Sequence, residues 1–295
     1  MNLTDIDKRL LVLHYVFPVP FNKLEKMLQN DPELQNLFRH TNLELARVLK
    51  ISATKAIQLN EQLKHHEKTP FTHLYNQENI IPIPITHHDY PQMLKWLIDP
   101  PTVLYVKGDN SILKASAKIA IIGSRKAGAY TKEALSFIVP PLIDQNMVIV
   151  SGLAKGADTM AHESAISYGG KTIAVLGHGL FHLYPRENVK LAETIGKEHL
   201  LLTEYPPYVR PAKWTFPMRN RIISGLSDSL IITESEEKSG TMSTVDHALE
   251  HGKTVYAVPG AITSPLSIGP NKLIEQGAKP IWNGFQAVEN ILIYE

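Results

Sequence analysis

Residues 204–221, EYPPYVRPAKWTFPMRNR, place four cations and four aromatic rings in eighteen positions. Arg210, Lys213, Arg219 and Arg221 offer charge to phosphates, and Tyr205, Tyr208, Trp214 and Phe216 offer faces on which bases stack. Glu204 is the only acid in the stretch. This is the chemistry of a surface for a polyanion that carries bases. Pro206, Pro207, Pro211 and Pro217 predict a shaped loop here, not a helix or a central strand.

The rest of the chain gives no help from bulk charge. Thirty Lys and Arg stand against 29 Asp and Glu, a net charge of +1, so any nucleic-acid binding must come from local patches. The absence of cysteine excludes disulfides, thiolate zinc sites and cysteine nucleophiles. The N-terminus lacks a basic n-region and a cleavage site, and no apolar run approaches the roughly 18 residues of a membrane helix, so a cytoplasmic protein without membrane association is expected.

The apolar pattern predicts the scaffold that carries these residues. Residues 1–66 carry Leu34, Leu37, Phe38, Leu45, Val48, Leu49, Ile57 and Leu63 at helical spacing, with Asn42 and Ser52 as N-caps, and predict a small all-helical domain. Residues 67–110 are punctuated by proline and predict a connector with one or two short strands docking onto the domain C-terminal to it. Residues 111–295 alternate helix-length segments with short apolar runs at 119–122, 147–150, 172–176, 200–203, 230–233 and 254–258. Continuous rather than alternating apolarity means strands buried on both faces, hence a doubly wound α/β domain with a mainly parallel sheet. Such sheets bind ligands outside the carboxyl ends of their strands.

Those ends are rich in glycine and cations. Gly123, Ser124 and Arg125 come after the first run, Gly152, Lys155 and Gly156 after the second, and Gly177-His178-Gly179 after the third. Glycine lets backbone N–H groups approach an anion, and the helix beyond each turn presents its positive N-terminus to the same place. Ser239, Gly240 and Thr241 open the helix after the fifth run, with Thr241 as its N-cap in the plainer reading. Gly269-Pro270-Asn271-Lys272 predicts a further loop closing over that edge.

Other apparent motifs fail. Gly170-Lys171-Thr172 and Gly252-Lys253-Thr254 lack the first glycine of a phosphate-binding P-loop and enter strands. A Ser151, Asp158 and His178 triad lacks the G-x-S-x-G elbow. The thirteen histidines include no H-E-x-x-H, so neither a metal nor another cofactor is expected.

Taken in order, Tyr90-Pro91, Pro100-Pro101, Ile122-Gly123-Ser124-Arg125, Ser151-Gly152-x-Ala154-x-Gly156-x-Asp158, Leu176-Gly177-x-Gly179, Tyr184-Pro185, Glu204-Tyr205-Pro206-Pro207, Phe216-Pro217-x-Arg219-Asn220-Arg221, Ser239-Gly240-Thr241, Val258-Pro259-Gly260 and Gly269-x-Asn271 resemble the DNA-processing protein A (DprA/Smf) family of bacteria. The resemblance spans about residues 90–282. It implies an extended Rossmann-like fold and a homodimer that binds single-stranded DNA without sequence preference, protects it and loads the RecA recombinase in natural transformation. No enzymatic activity is implied. By the same resemblance Arg125, Arg186, Lys213 and Phe216 contact DNA, and no C-terminal winged helix is expected. Departures occur at Gly240-Thr241-Met242-Ser243-Thr244 and at Asp246-His247, where the family carries G-S-L-I-T and a basic residue.

The full set of expected DNA contacts is then Gly123, Ser124, Arg125, Gly152, Lys155, Gly156, Arg186, Lys213, Phe216, Arg219, Asn220, Ser239, Gly240, Thr241, Asn271 and Lys272. For Asn220 and Arg221 a structural role, opening the helix and pairing with Glu204 or Glu234, is weighed equally with phosphate contact. The alternative from another class is a nucleotide phosphoribohydrolase resembling the lysine decarboxylase-like proteins. That chemistry needs a glutamate three residues after Thr241, and the position holds Thr244.

Overall fold

The computed structural model describes residues 2–292. Residue 1 and residues 293–295, the outer ends of the first and third expected segments, lie outside them. The helices are α1 (Asp5–Val16), α2 (Glu25–Asn30), α3 (Asn42–Leu49), α4 (Ala53–His66), α5 (Phe71–Gln77), α6 (Gln92–Lys95), α7 (Ala129–Asp144), α8 (Ala157–Ser167), α9 (Val189–Glu198), α10 (Thr215–Gly225), α11 (Met242–Glu250), α12 (Ile268–Glu275) and α13 (Phe285–Leu292). The strands are β1 (Ile81–Pro84), β2 (Val103–Gly108), β3 (Lys118–Ile122), β4 (Val148–Ser151), β5 (Thr172–Leu176), β6 (Leu200–Thr203), β7 (Ser229–Ile232), β8 (Thr254–Ala257) and β9 (Lys279–Pro280).

Among the described residues the nine strands form one sheet in the order β1-β2-β6-β5-β4-β3-β7-β8-β9. The pairs from β6 through β9 are parallel, and β1 and β2 add an antiparallel edge through Tyr105 opposite Thr203. Successive residues of each parallel strand face opposite layers. Ile119, Ile121, Ile149 and Ile231 pack with Leu135, Ile138, Leu142 and Ala161 of α7 and α8. Ala120, Ile122, Val150, Leu230 and Ile232 pack with Ile222, Ile223 and Val245 of α10 and α11. Both faces are therefore dry, which is why these strands read as unbroken apolar runs.

Helices α1–α5 share the second of these cores, joined to the antiparallel edge. His14 of α1 lies 3.1 Å from the Tyr105 hydroxyl of β2, and Asp7 accepts from Thr86 just past β1. The cap of α3 is Thr41, not Asn42. The Thr41 hydroxyl accepts from Glu44 N–H while the Glu44 carboxylate accepts from Thr41 N–H, a reciprocal box that leaves Asn42 inside the first turn. Ser52 caps α4 through Lys55 N–H at 3.3 Å.

The chain runs from β3 outward to β6 on one side, then returns to place β7 on the other side of β3. The crevice outside the carboxyl ends of β3 and β7 is thus a topological switch point, the usual ligand seat of such a sheet.

Candidate nucleic-acid interface

Two expectations are corrected by the local structure. Residues 204–221 are a loop only in their first half, because α10 begins at Thr215 and contains Phe216 and Pro217. Pro217 is tolerated there because the first-turn N–H groups have no helical acceptor. Asn271 and Lys272 lie in α12, not in a loop, and the Asn271 amide is engaged by both backbone groups of Gly260 at 3.1 and 3.0 Å.

Gly123, Ser124, Arg125, Lys213, Phe216, Arg219, Asn220, Ser239, Gly240 and Thr241 line a groove of about 600 Å³ at the switch point, with Tyr184, Asp158 and Lys126. Gly152 and Lys155 line an adjoining recess of about 50 Å³ that shares Arg125, Tyr184, Phe216 and Arg219. Gly156, Arg186, Asn271 and Lys272 line neither. Gly156 has φ +76°, and a side chain on it would run into the carbonyl of Ser124, so its part is to let two strand-end loops touch.

The loop after β3 is fastened from both sides. Ser124 N–H donates to the Glu234 carbonyl, and the Glu234 carboxylate accepts from Gly128 N–H at 3.0 Å and the Thr131 hydroxyl at 2.9 Å. Thr241 makes no side-chain cap bond; its hydroxyl donates instead to the Gly123 carbonyl at 3.0 Å and ties the start of α11 to the end of β3. Asn220 donates to the Ser243 hydroxyl at 2.8 Å and so joins α10 to α11.

The floor holds a buried arginine and a buried carboxyl. Arg219 Nη1 donates to the carbonyls of Gly152 and Val175, both at 2.6 Å, and Gly152 has no side chain where the guanidinium lies. Burial pushes the Arg219 pKa down and Asp158 opposes the push. Burial pushes the Asp158 carboxyl up, against Arg219 and the Ala154 amide that donates to it at 3.3 Å. The loop of residues 152–156 therefore already answers an internal carboxylate. Ser151 donates to the Ile121 carbonyl, and both His178 ring nitrogens face carbonyls, so the Ser151, Asp158 and His178 triad does not assemble.

The stretch's charges divide. Arg221 is buried, with Nε 2.9 Å from Asp99 and Nη2 2.6 Å from Glu204, so it serves the fold. Burial pushes the Glu204 carboxyl up and Arg221 opposes it. Lys126, Lys155 and Lys272 are held by Glu236, Glu187 and Glu237. Among the described residues Arg125, Arg186 and Lys213 are exposed and make no ion pair. Phe216 is half-buried, its ring 5.8 Å from that of Tyr184, and Gly177 permits this because a side chain there would meet Phe216 Cδ1 at 2.9 Å. Sequence reading passed over Lys126 and the Asp99 partner of Arg221. The neighbouring Arg125 was a signal for the first, and nothing local was for the second.

The family model of DNA recombination-mediator protein A matches residues 82–292. DNA processing protein DprA of Bacillus subtilis is 46% identical over 217 residues, covering 74% of this chain and 73% of the relative. DNA processing protein DprA of Streptococcus pneumoniae is 44% identical over 195 residues, covering 66% and 68%. The solved structure of the S. pneumoniae protein matches with a TM-score of 0.80 and 33% identity over 98% of each chain. A structure of DNA processing protein A from Helicobacter pylori, described for its single-stranded DNA binding mode, matches with a TM-score of 0.65 and 33% identity over 72% of this chain and 95% of that one. A family match over most of the sheet, high identity to curated relatives and near-complete structural overlap all agree: the chain belongs to the DNA recombination-mediator protein A family.

Proposed function

We propose that this protein binds single-stranded DNA in the switch-point groove, protects incoming strands and loads the RecA recombinase onto them during natural transformation. The observation that carries this reading is the pairing pattern of the groove's cations. Arg125 and Lys213 stand beside Phe216 and Tyr184 without acidic partners, while neighbouring lysines are held by glutamates. Unpaired cations suit phosphates, and the exposed face of Phe216 suits a stacked base. The H. pylori relative's described single-stranded DNA binding supports it.

In this reading Gly123, Ser124, Gly152, Ser239, Gly240 and Thr241 shape the phosphate path, and Arg186 and Lys155 extend it beyond the groove. Near-zero net charge confines DNA to this face and leaves other faces for a second protomer and for RecA. Residues 111–295 act as the DNA-binding domain, 67–110 as its docked connector and 1–66 as a helical accessory.

The protein acts by binding rather than by turnover. The Glu234 carboxylate is engaged by Gly128 and Thr131, and Thr244 occupies the place of a catalytic glutamate. Titrating labelled single- and double-stranded oligonucleotides at two salt concentrations tests the reading. Tighter binding of the single strand is expected; equal affinity for both, or release of free base from nucleoside monophosphates, would overturn it.

A further inference from the structure

We propose that His247 and His251 form a site for a divalent transition-metal ion of the zinc, nickel or copper type on α11. The two residues are four apart, the spacing that places side chains one above the other on a helix. His251 comes directly after the last residue of α11, and its N–H still donates to the His247 carbonyl at 2.9 Å, so the helical register holds across the pair. Their rings lie 14° from parallel with centroids 6.1 Å apart. The segment reads His247-Ala248-Leu249-Glu250-His251, an H-x-x-E-H spacing of the kind that presents two imidazoles to zinc.

The hydrogen bonds behind the rings are compatible with the ligating tautomer. The Ser224 hydroxyl lies 2.8 Å from His251 Nδ1 and 3.3 Å from the Arg221 carbonyl, so it can accept from Nδ1–H while donating to that carbonyl. In that arrangement His251 offers a lone pair on Nε2. His247 Nδ1 lies 3.3 Å from the Glu250 carboxylate, which can only accept, and the same logic frees His247 Nε2. Metal-bound histidines are oriented in this way, by an acceptor on the second ring nitrogen.

Two imidazoles with open positions for water suit borderline ions rather than magnesium or calcium. Elsewhere, His87, His88 and Asp89 bring ligand atoms within 4.8 Å of one another. There, however, His87 Nδ1 accepts from Asp89 N–H at 3.1 Å and Lys114 Nζ sits 2.8 Å from the Asp89 carboxylate, so a lysine already occupies the cation's place.

The test is calorimetric titration of the chelator-treated full chain with zinc chloride and with nickel chloride, with thermal unfolding as the check on folding. One ion per chain is expected for wild type and for His88→Ala, and none for His247→Ala or His251→Ala at an unchanged melting temperature. Glu250→Gln should weaken binding about 10- to 100-fold. No binding by wild type, binding retained by the His247→Ala/His251→Ala double variant, or wild-type affinity in Glu250→Gln would overturn the proposal.

Discussion

Arg219 Nη1 lies 2.6 Å from the carbonyl oxygen of Gly152, and the guanidinium fills the space that any side chain on Gly152 would need. The arginine thus supports from below the loop that a ligand would meet from above. Arg219→Met leaves the Gly152 and Val175 carbonyls unpaired and is expected to destabilise the fold by about 1–3 kcal/mol for each. Single-strand affinity should fall through the disturbed loop while its salt dependence stays unchanged, because no phosphate contact is removed. Urea unfolding and a salt series check both; a reduced slope would make Arg219 a direct phosphate contact.

Phe216 lies in the first turn of α10, with Gly177 beneath and Tyr184 beside it. Phe216→Ala is expected to lose about 1–3 kcal/mol of single-strand affinity with little change in salt dependence, since stacking releases no counterions. Phe216→Trp should retain binding. Anisotropy titrations with an oligothymidylate read the difference.

Arg221 joins two acids that the chain supplies from different elements, Asp99 before β2 and Glu204 after β6. Arg221→Met strands Glu204 as a buried carboxylate and is expected to cost about 3–5 kcal/mol in denaturant unfolding. Restoring part of that loss with Glu204→Gln in the same chain would show that the stranded charge, rather than lost packing, sets the cost.

His14 and His162 give the fold an acid limit. Burial lowers both to about 3 from an ordinary 6.5, and His162 donates to the Thr172 hydroxyl, which itself donates to Ile149. Their folded values lie below the unfolded one, so the unfolded chain binds more protons between pH 3 and 6.5. Their contribution is complete above 6.5 and is lost as pH falls through that window, by about 1 kcal/mol per histidine for each unit. Urea midpoints at pH 7.5, 6.5 and 5.5 should fall, and His162→Gln should flatten the decline relative to wild type.

The central strands were legible because a sheet covered on both faces demands unbroken apolar runs, and β3 to β8 lie within a residue of the runs at 119–122 through 254–258. The start of α10 was hidden because proline reads as a breaker, although Pro217 sits in a first turn whose N–H groups need no helical acceptor. Glycine turns bearing cations pointed to the switch point, since their spacing is local. Which cations are already engaged was not local: Glu187, Glu236 and Glu237 reach Lys155, Lys126 and Lys272 from other loops, and Asp99 reaches Arg221 from another element.

The claim that unpaired cations at the β3 edge meet phosphates is tested most directly by the salt dependence of single-strand binding in Arg125→Ala, compared with Lys272→Ala. For Arg125→Ala the slope of log affinity against log salt should fall by about 0.7, the value for one phosphate contact on a single strand. Lys272→Ala, whose ammonium is held by Glu237 away from the groove, should keep the wild-type slope. A wild-type slope and affinity in Arg125→Ala would contradict the account.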